Sequence, residues 1–438
     1  MLLLYVLLGI LALVLLVAYL KIDTFISFVL VSIGLGLACG MKISAITQSL
    51  EKGIGGTLGS LVIIIGFGAM LGKLVADSGA AQRITATIMR VFGLKYLTWG
   101  LALAGFIIGL PLFYNAGFVI VIPLIFSIVA STRLPMLYVA IPMLSALSVA
   151  HGYLPPHPSP TAIATQFKAD IGLTLFYGIL VAVPAIIVAG PLFARTLKGF
   201  NPKPNPELLN IKQFADSEMP SLSVSLLVAL LPLILLTAMP PIKGFFEDGT
   251  PIHQVFAFLG DPSIAMLVSV LVAVYFLGIK RGRSTQAVMK SLEEAFKGVS
   301  VILLVVAGAG GFKQILTDGG VSQYIGELLA DVQISPLVLG WAIAGLIRIC
   351  VGSATVAGLT TVGIVAPLVA NQAIKPELMV LAIGSGSLMF SHLNDGGFWL
   401  YKEYFNLSIK ETLQTWTVME TIVSVIGLIG VLILNVIV

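Results

Sequence analysis

The chain has 438 residues, 58% of them hydrophobic and only 10% charged, with a mean hydropathy of +1.07; soluble domains carry about 25% charged residues, so a water-soluble fold is excluded. The net charge of +4 comes from 24 Lys+Arg against 20 Asp+Glu, with no basic run longer than the KRGR from Lys280, which gives nucleic-acid binding no support. Cys39 and Cys350 both lie in apolar runs, so neither a disulfide nor a zinc framework is expected, and no metal or cofactor is called for.

The first twenty residues lack a charged leading region and a small-residue cleavage site, and are expected to be a retained span rather than a signal peptide. Full spans then follow near 25–40, 57–77, 136–165, 172–194, 221–239, 263–279, 298–316, 376–404 and 412–438. At about 20 residues per crossing, this makes about ten spans and leaves no room for a large aqueous domain. Two further apolar stretches, 98–131 and 337–370, carry Gly and polar residues at their middle and are expected to be re-entrant hairpins. The expected fold is thus an all-α polytopic membrane protein, divided into an N-terminal repeat (1–197), a linker (198–220) and a C-terminal repeat (221–438).

The repeat is explicit in the sequence. FGAMLGKLVADSGAAQRI from Phe67 and GAGGFKQILTDGGVSQYI from Gly308 align at an offset of 241, matching Asp77 to Asp318, Gly79 to Gly320, Gln82 to Gln323 and Ile84 to Ile325. The same register later brings Pro135 to Pro376, Leu147 to Leu388 and His151 to His392. Loop charge gives the relation between the halves. Loop 280–297 holds Lys280, Arg281, Arg283, Lys290 and Lys297, while its counterpart 41–56 holds only Lys42 and Lys52. Loop 78–97 holds Arg83, Arg90 and Lys95, while 317–336 has only the acids Asp318, Glu327 and Asp331. Because basic loops stay cytoplasmic, equivalent loops fall on opposite sides and the repeat is expected to be inverted. Both termini are then outside, and the linker with Lys198, Lys203 and Lys212 is inside. Inverted repeats with interrupted helices are the build of secondary transporters, whose site lies where the halves meet.

Irregular backbone at membrane depth is tolerated only against protein or a water-filled cavity, so four segments are candidates: GLPLFYNAGF (109–118), HGYLPPHPSPT (151–161), RICVGSATVAG (348–358) and GSGSLMFSHLNDGGFW (384–399). In the second, four prolines within Pro155 to Pro160 end any helix and free its termini to face a ligand. His151 and His157 are suited to proton exchange, unless the segment is a surface loop with solvated histidines. The fourth offers His392, Asn394 and Asp395, a carboxylate that is costly at depth without a partner. In the third, Gly352, Ser353 and Thr355 suit a hydroxylated or carboxylate ligand, or else pack helices closely. Arg348 either binds an anionic substrate or pairs with Asp395 or Glu420 across the bundle. Tyr114 and Asn115 stand at the first hairpin's tip, where the Asn115 amide contacts substrate or caps a turn. Lys73 and Lys313 are expected to snorkel, and His253 to be solvated. No HExxH, G-x-S-x-G or Cys/His cluster occurs, so the chain is not expected to be an enzyme.

At GIGGTLGSL from Gly53, GFGAMLGKLVADSGAAQRI from Gly66, SVAHGYLPPHPSPTAIAT from Ser148, RICVGSATVAG from Arg348 and HLNDGGFWLYKEYFNLS from His392, the sequence resembles the gluconate:proton symporter (gluconate permease, GntP) family of bacterial inner membranes. The resemblance covers essentially the whole chain. It implies import of gluconate or a related sugar acid such as a keto-gluconate or another aldonate, with protons. It also implies the two-repeat plan of the wider ion-transporter group, homodimers and elevator-type alternating access. The alternative is a carrier for another small hydroxy-carboxylate or a D-serine-like amino acid. The chain departs from familiar members in having Asn115 where they carry an acid, Ser159 within their HPGP-like motif, and Gly396 within their DPGF-like motif. Expected substrate contacts are Tyr114, Asn115, His157, Arg348, Ser353, Thr355 and Asn394; expected proton-coupling groups are Asp395, His151 and His392.

Overall fold

The computed structural model describes residues 2–200, 202, 214–321, 324, 334–371, 374–393 and 395–438. Every regular element among them is helical. In chain order the helices are α1 (Leu2–Val14), α2 (Thr24–Ala38), α3 (Ile43–Asp77), α4 (Ala80–Phe92), α5 (Leu97–Gly109), α6 (Tyr114–Thr132), α7 (Met136–Tyr153), α8 (Pro158–Phe167) and α9 (Ile171–Ile187). After the linker come α10 (Leu222–Lys243), α11 (Pro251–Gly260), α12 (Pro262–Ala273), α13 (Thr285–Asp318), α14 (Pro336–Val351), α15 (Ala354–Asn371), α16 (Pro376–Gly386), α17 (Gly396–Tyr404), α18 (Ile409–Thr412) and α19 (Val418–Ile437). A single π-helical turn, Leu413–Thr417, joins α18 to α19 in one continuous rod.

Helix boundaries recur at the repeat offset. α3 answers to α13, α5 and α6 to α14 and α15, and α9 to the final rod, each within a few residues. α3 and α13 lie against each other in the most extensive helix contact of the molecule. Their crossing is closest at Gly53 and Gly310: a Cβ on Gly310 would sit 2.1 Å from Thr57 Oγ1 and 2.6 Å from the Gly53 carbonyl oxygen. Close approach through small residues is how apolar helices associate where lipid removes the hydrophobic drive. Ser49 of α3 adds a 2.7 Å hydrogen bond to Asp318 Oδ2 at the far end of α13.

The breaks have identifiable causes. α7 ends before Pro155 and Pro156, and α8 restarts on Pro158, placed where its missing N–H costs nothing. α14 stops at Gly352, whose φ of +79° is left-handed, and α15 restarts two residues later. In the second broken span, α16 ends at Gly386 and the irregular stretch runs to Asp395, which caps α17 through Gly397 N at 3.0 Å. Here the halves diverge. His151 lies inside α7, whereas its counterpart at the offset, His392, lies in the irregular stretch, because α16 ends at Gly386, earlier in the register than α7, which runs to Tyr153.

By length and apolarity, six described helices can cross a membrane: Met136–Phe167, Ile171–Leu197, Leu222–Lys243, Pro262–Arg281, Thr285–Asp318 and Ile409–Ile437; the bent pair Ile43–Gly59 and Leu61–Asp77 makes a seventh. The remaining expected spans form shorter apolar helices, among them Leu7–Val17 and Thr24–Ala38. The broken segments are the innermost layer: the Met136–Phe167 span is 89% buried against 33% for Leu222–Lys243. Leu11, Ile433 and Phe245 are exposed on the periphery, as lipid-facing surfaces require. The linker residues 203–213 and the loop residues 325–333, with Lys203, Lys212, Glu327 and Asp331, lie outside the described residues, as do Gln323 and Asn394.

Candidate functional site

All four interrupted segments border one cavity of about 830 Å³. Its wall takes Pro111 to Tyr114 from the α5–α6 break, Ser148, His151 and Pro158 from the first broken span, and Arg348, Gly352, Ser353 and Thr355 from the α14–α15 break. Leu388, Asp395 and Gly397 come from the second broken span, Trp416 and Glu420 from the final rod, and the rim includes Lys73 and Asp77 of α3 and the exposed Glu294 of α13.

The electrostatic centre is Arg348, in the last turn of α14 and only 4% exposed. One guanidinium nitrogen donates to the Gly352 carbonyl and the other to Asp395 Oδ2. The Nε–H, also buried, has no partner. Of the pairings open from sequence, Arg348–Asp395 is the one formed. Asp395 is held further by Ser391 Oγ, which donates to the same oxygen, and Ser391 accepts from Trp416 Nε1 at 2.8 Å. The chain Trp416–Ser391–Asp395–Arg348 therefore ties the final rod to the irregular stretch before α17 and on to the α14–α15 break. A buried pair of this kind is worth little net, yet losing one partner costs about 3–5 kcal/mol because a charge is stranded.

On the opposite wall Tyr114 packs its ring against Trp416 at 5.8 Å and His151 at 6.0 Å. His151 meets His157 edge-on at 5.4 Å. His157 is one layer behind the cavity, 1% exposed, its Nε2 held 2.7 Å from the Gly109 carbonyl; its Nδ1 and that of His151 are buried without partners. A solvated surface loop is thereby ruled out for this segment. Ser353 and Thr355 are half-buried and line the cavity, so they offer hydroxyls rather than serving helix packing alone. His392 stands apart from the cavity, its Nε2 2.9 Å from the Ile349 carbonyl. Asn115 follows Tyr114 at the start of α6, but its side chain lies outside the described residues, as does Asn394.

Lys73 reaches Asp77 at 3.1 Å on the rim. Lys313 does not snorkel: it donates to the Gln166 carbonyl at 2.6 Å, fastening α13 to the end of α8. His253 pairs with the exposed Asp248 at 3.0 Å. Among the described residues no group of three or more His, Cys, Asp and Glu is arranged to hold a metal.

Four participants were not singled out by sequence reasoning or were left ambiguous: Ser148, Ser391, Trp416 and Glu420. Glu420 carried a usable signal, since a lone acid in an otherwise apolar span is functional by default. Ser391 and Trp416 carried none, because they are 25 residues apart and meet only through the fold. Trp416→Phe keeps the ring contacts and deletes the donor to Ser391, so it is expected to cost about 1 kcal/mol. A lowered thermal midpoint of the purified protein in detergent checks this; an unchanged one would make the bond ornamental.

A family model described as GntP family permease matches residues 1–437. The high-affinity gluconate transporter of Escherichia coli (strain K12) is 49% identical over 431 residues, 98% of each chain. The Gnt-II system L-idonate transporter of the same organism is 45% identical over 98% of this chain and 97% of its own. The gluconate permease of Bacillus subtilis (strain 168) is 46% identical over the full length of both. Among solved structures, the YdaH transporter of Alcanivorax borkumensis superposes with a TM-score of 0.65 at 18% identity, covering 97% of this chain and 98% of that one. MtrF of Neisseria gonorrhoeae superposes with 0.66 at 13% identity over 94% of each. At those identities the likeness to the two solved structures is one of fold.

Proposed function

The chain belongs to the GntP family of permeases, and from that membership we propose that it imports gluconate or a related sugar acid, an aldonate or keto-gluconate, together with protons. It is a multi-pass membrane transporter and not an enzyme. The observation that carries the substrate class is the buried Arg348 on the cavity wall, with an N–H left over after its bonds to Asp395 and Gly352, flanked by the hydroxyls of Ser353 and Thr355. A guanidinium fork suits a carboxylate, the hydroxyls suit a polyol tail, and about 830 Å³ lies within the range of small-molecule sites. Relatives named for gluconate and L-idonate transport support the same class.

The architecture proposed with it is a pair of inverted repeats, 1–197 and 221–438, joined by the cytoplasmic linker 198–220, with about ten spans and two re-entrant hairpins. The recurrence of helix boundaries at offset 241 supports the repeat, and loop charge supports its inversion. In that orientation both termini are outside a bacterial inner membrane, and the rim at Lys73, Asp77 and Glu294 opens to the cytoplasm. The working unit is a homodimer moving by elevator-type alternating access.

Uptake of labelled gluconate into proteoliposomes tests the reading. Gluconate and L-idonate in excess are expected to suppress uptake at least about tenfold, the neutral glucose and sorbitol not at all, since without a carboxylate they leave a charge-assisted bond of about 1.5–3 kcal/mol unmade. An inward proton gradient is expected to raise accumulation. Equal competition by neutral polyols would overturn the substrate class, indifference to the gradient would overturn proton coupling, and stronger competition by glycerate or D-serine would move the substrate to smaller hydroxy acids.

A further inference from the structure

Proton coupling requires a group in the transport cavity that can take up and give back a proton, and the acids around the cavity are not equivalent. Asp395 is fully engaged: Oδ2 accepts from both Arg348 and Ser391, and Oδ1 accepts from Gly397 N. Its charge is already answered by the Arg348 guanidinium. Asp77 is tied to Lys73 at the rim. Glu294 is exposed there. Glu420 differs from all three. It is 2% exposed, it borders the cavity, and neither of its oxygens has a well-aligned hydrogen-bond partner, although the Ser148 hydroxyl lies beside it. Burying an ionised carboxyl without a partner is so costly that such groups neutralise instead, and acids placed this way inside membranes mark proton paths.

From this geometry we infer that Glu420 is the residue that carries the coupled proton. The inference rests on the symport reading above and assigns its site. The proton comes from water on the outer side, forms an O–H bond on one Glu420 oxygen, and leaves to water on the inner side; no other bond changes and no co-reactant is needed. Coupling follows from the charges that face it. Arg348 and Asp395 form a balanced pair from α14 and the second broken span; among the described residues α6 adds the Tyr114 hydroxyl, and α7 the hydroxyls of Ser148 and Tyr153 and the buried imidazole of His151. The Tyr153 hydroxyl is itself committed to the Val423 carbonyl. α9 and α16, which also pack on α19, carry Asp170 and Glu377 at their first turns, where Glu377 accepts from Asp170 N at 3.0 Å. An arriving substrate carboxylate therefore adds one negative charge beside an Arg348 that Asp395 already balances. With Glu420 ionised the site would hold a second uncompensated charge. Substrate and proton thus favour each other's binding, and by linkage the effect is reciprocal.

The test is gluconate affinity of the purified full-length protein between pH 5.5 and 8.5, with proton-driven accumulation measured in parallel. The wild-type protein is expected to bind more weakly as pH rises, by up to about tenfold per pH unit for one linked proton. Glu420→Gln, nearly isosteric, is expected to flatten that dependence and to lose gradient-driven accumulation tenfold or more, while gluconate counterflow, which moves no net proton, continues. Glu420→Asp is expected to restore the pH dependence, so a poorly folded Gln variant does not leave the question open. A pH-dependent wild type with an equally pH-dependent Glu420→Gln overturns the assignment. A wild type whose binding and accumulation ignore both pH and the gradient overturns the symport reading itself.

Discussion

Replacing Arg348 by alanine is expected to abolish saturable gluconate uptake and to weaken substrate binding about 100-fold or more. Two losses combine. The substrate carboxylate forfeits a charge-assisted hydrogen bond of about 1.5–3 kcal/mol, which by itself is about ten- to one-hundred-fold in affinity. In addition, Asp395 is left facing Ser391 and the start of α17 without its counter-ion, and stranding a buried partner costs about 3–5 kcal/mol. Arg348→Lys separates the two: it keeps a positive charge near Asp395 but loses the planar fork that reaches Gly352, Asp395 and the cavity together. It is expected to fold well and to bind weakly. Ligand-induced thermal shift on both variants reads the outcome, since a ligand bound only to the folded state raises its stability by mass action. Wild-type affinity in a well-folded Arg348→Ala protein would remove Arg348 from the substrate site.

The largest effect away from the cavity is expected at the α3–α13 crossing. Gly310→Leu would place a Cβ 2.1 Å from Thr57 Oγ1 and 2.6 Å from the Gly53 carbonyl, and the latter is backbone that cannot turn aside. The helices must separate along their contact, at about 1–3 kcal/mol or more for overpacking alone. Gly55, two residues beyond Gly53 on α3, has nothing within 4 Å of an added Cβ. Gly55→Ala is therefore expected to be neutral or slightly stabilising, because alanine is the better helix former. A marked fall in thermal midpoint and membrane yield for Gly310→Leu, with none for Gly55→Ala, is the predicted pattern. Equal tolerance at both positions would mean that the close crossing is not a feature of the folded protein.

What the sequence made legible follows from where bilayer physics leaves a mark. Proline and glycine inside apolar runs marked the breaks at 154–157 and 352–353; Gly352 and Ser353 border the cavity, and the first break is flanked by His151 and Pro158, which border it too. Helix boundaries recur at the 241-residue offset read from the sequence. The register failed locally at His392, where α16 ends early, at Gly386, and leaves the residue out of the helical position that His151 holds. The polar chain from Trp416 through Ser391 to Asp395 was not legible. In a soluble helix an apolar stripe reveals the inward face; in the final rod both lipid-facing and protein-facing positions are apolar, so apart from the acid Glu420 itself nothing in the pattern singled out the face with Trp416. The π turn at Leu413–Thr417 also shifts the register at that point.

The most direct test of the account is an experimental structure of the protein with gluconate bound. The predicted result is the carboxylate within hydrogen-bond distance of Arg348 and the hydroxylated tail against Ser353 and Thr355, inside the cavity bordered by Tyr114, Asp395 and Glu420. Gluconate density at a site that leaves Arg348 bonded only to Asp395 and Gly352 would contradict it.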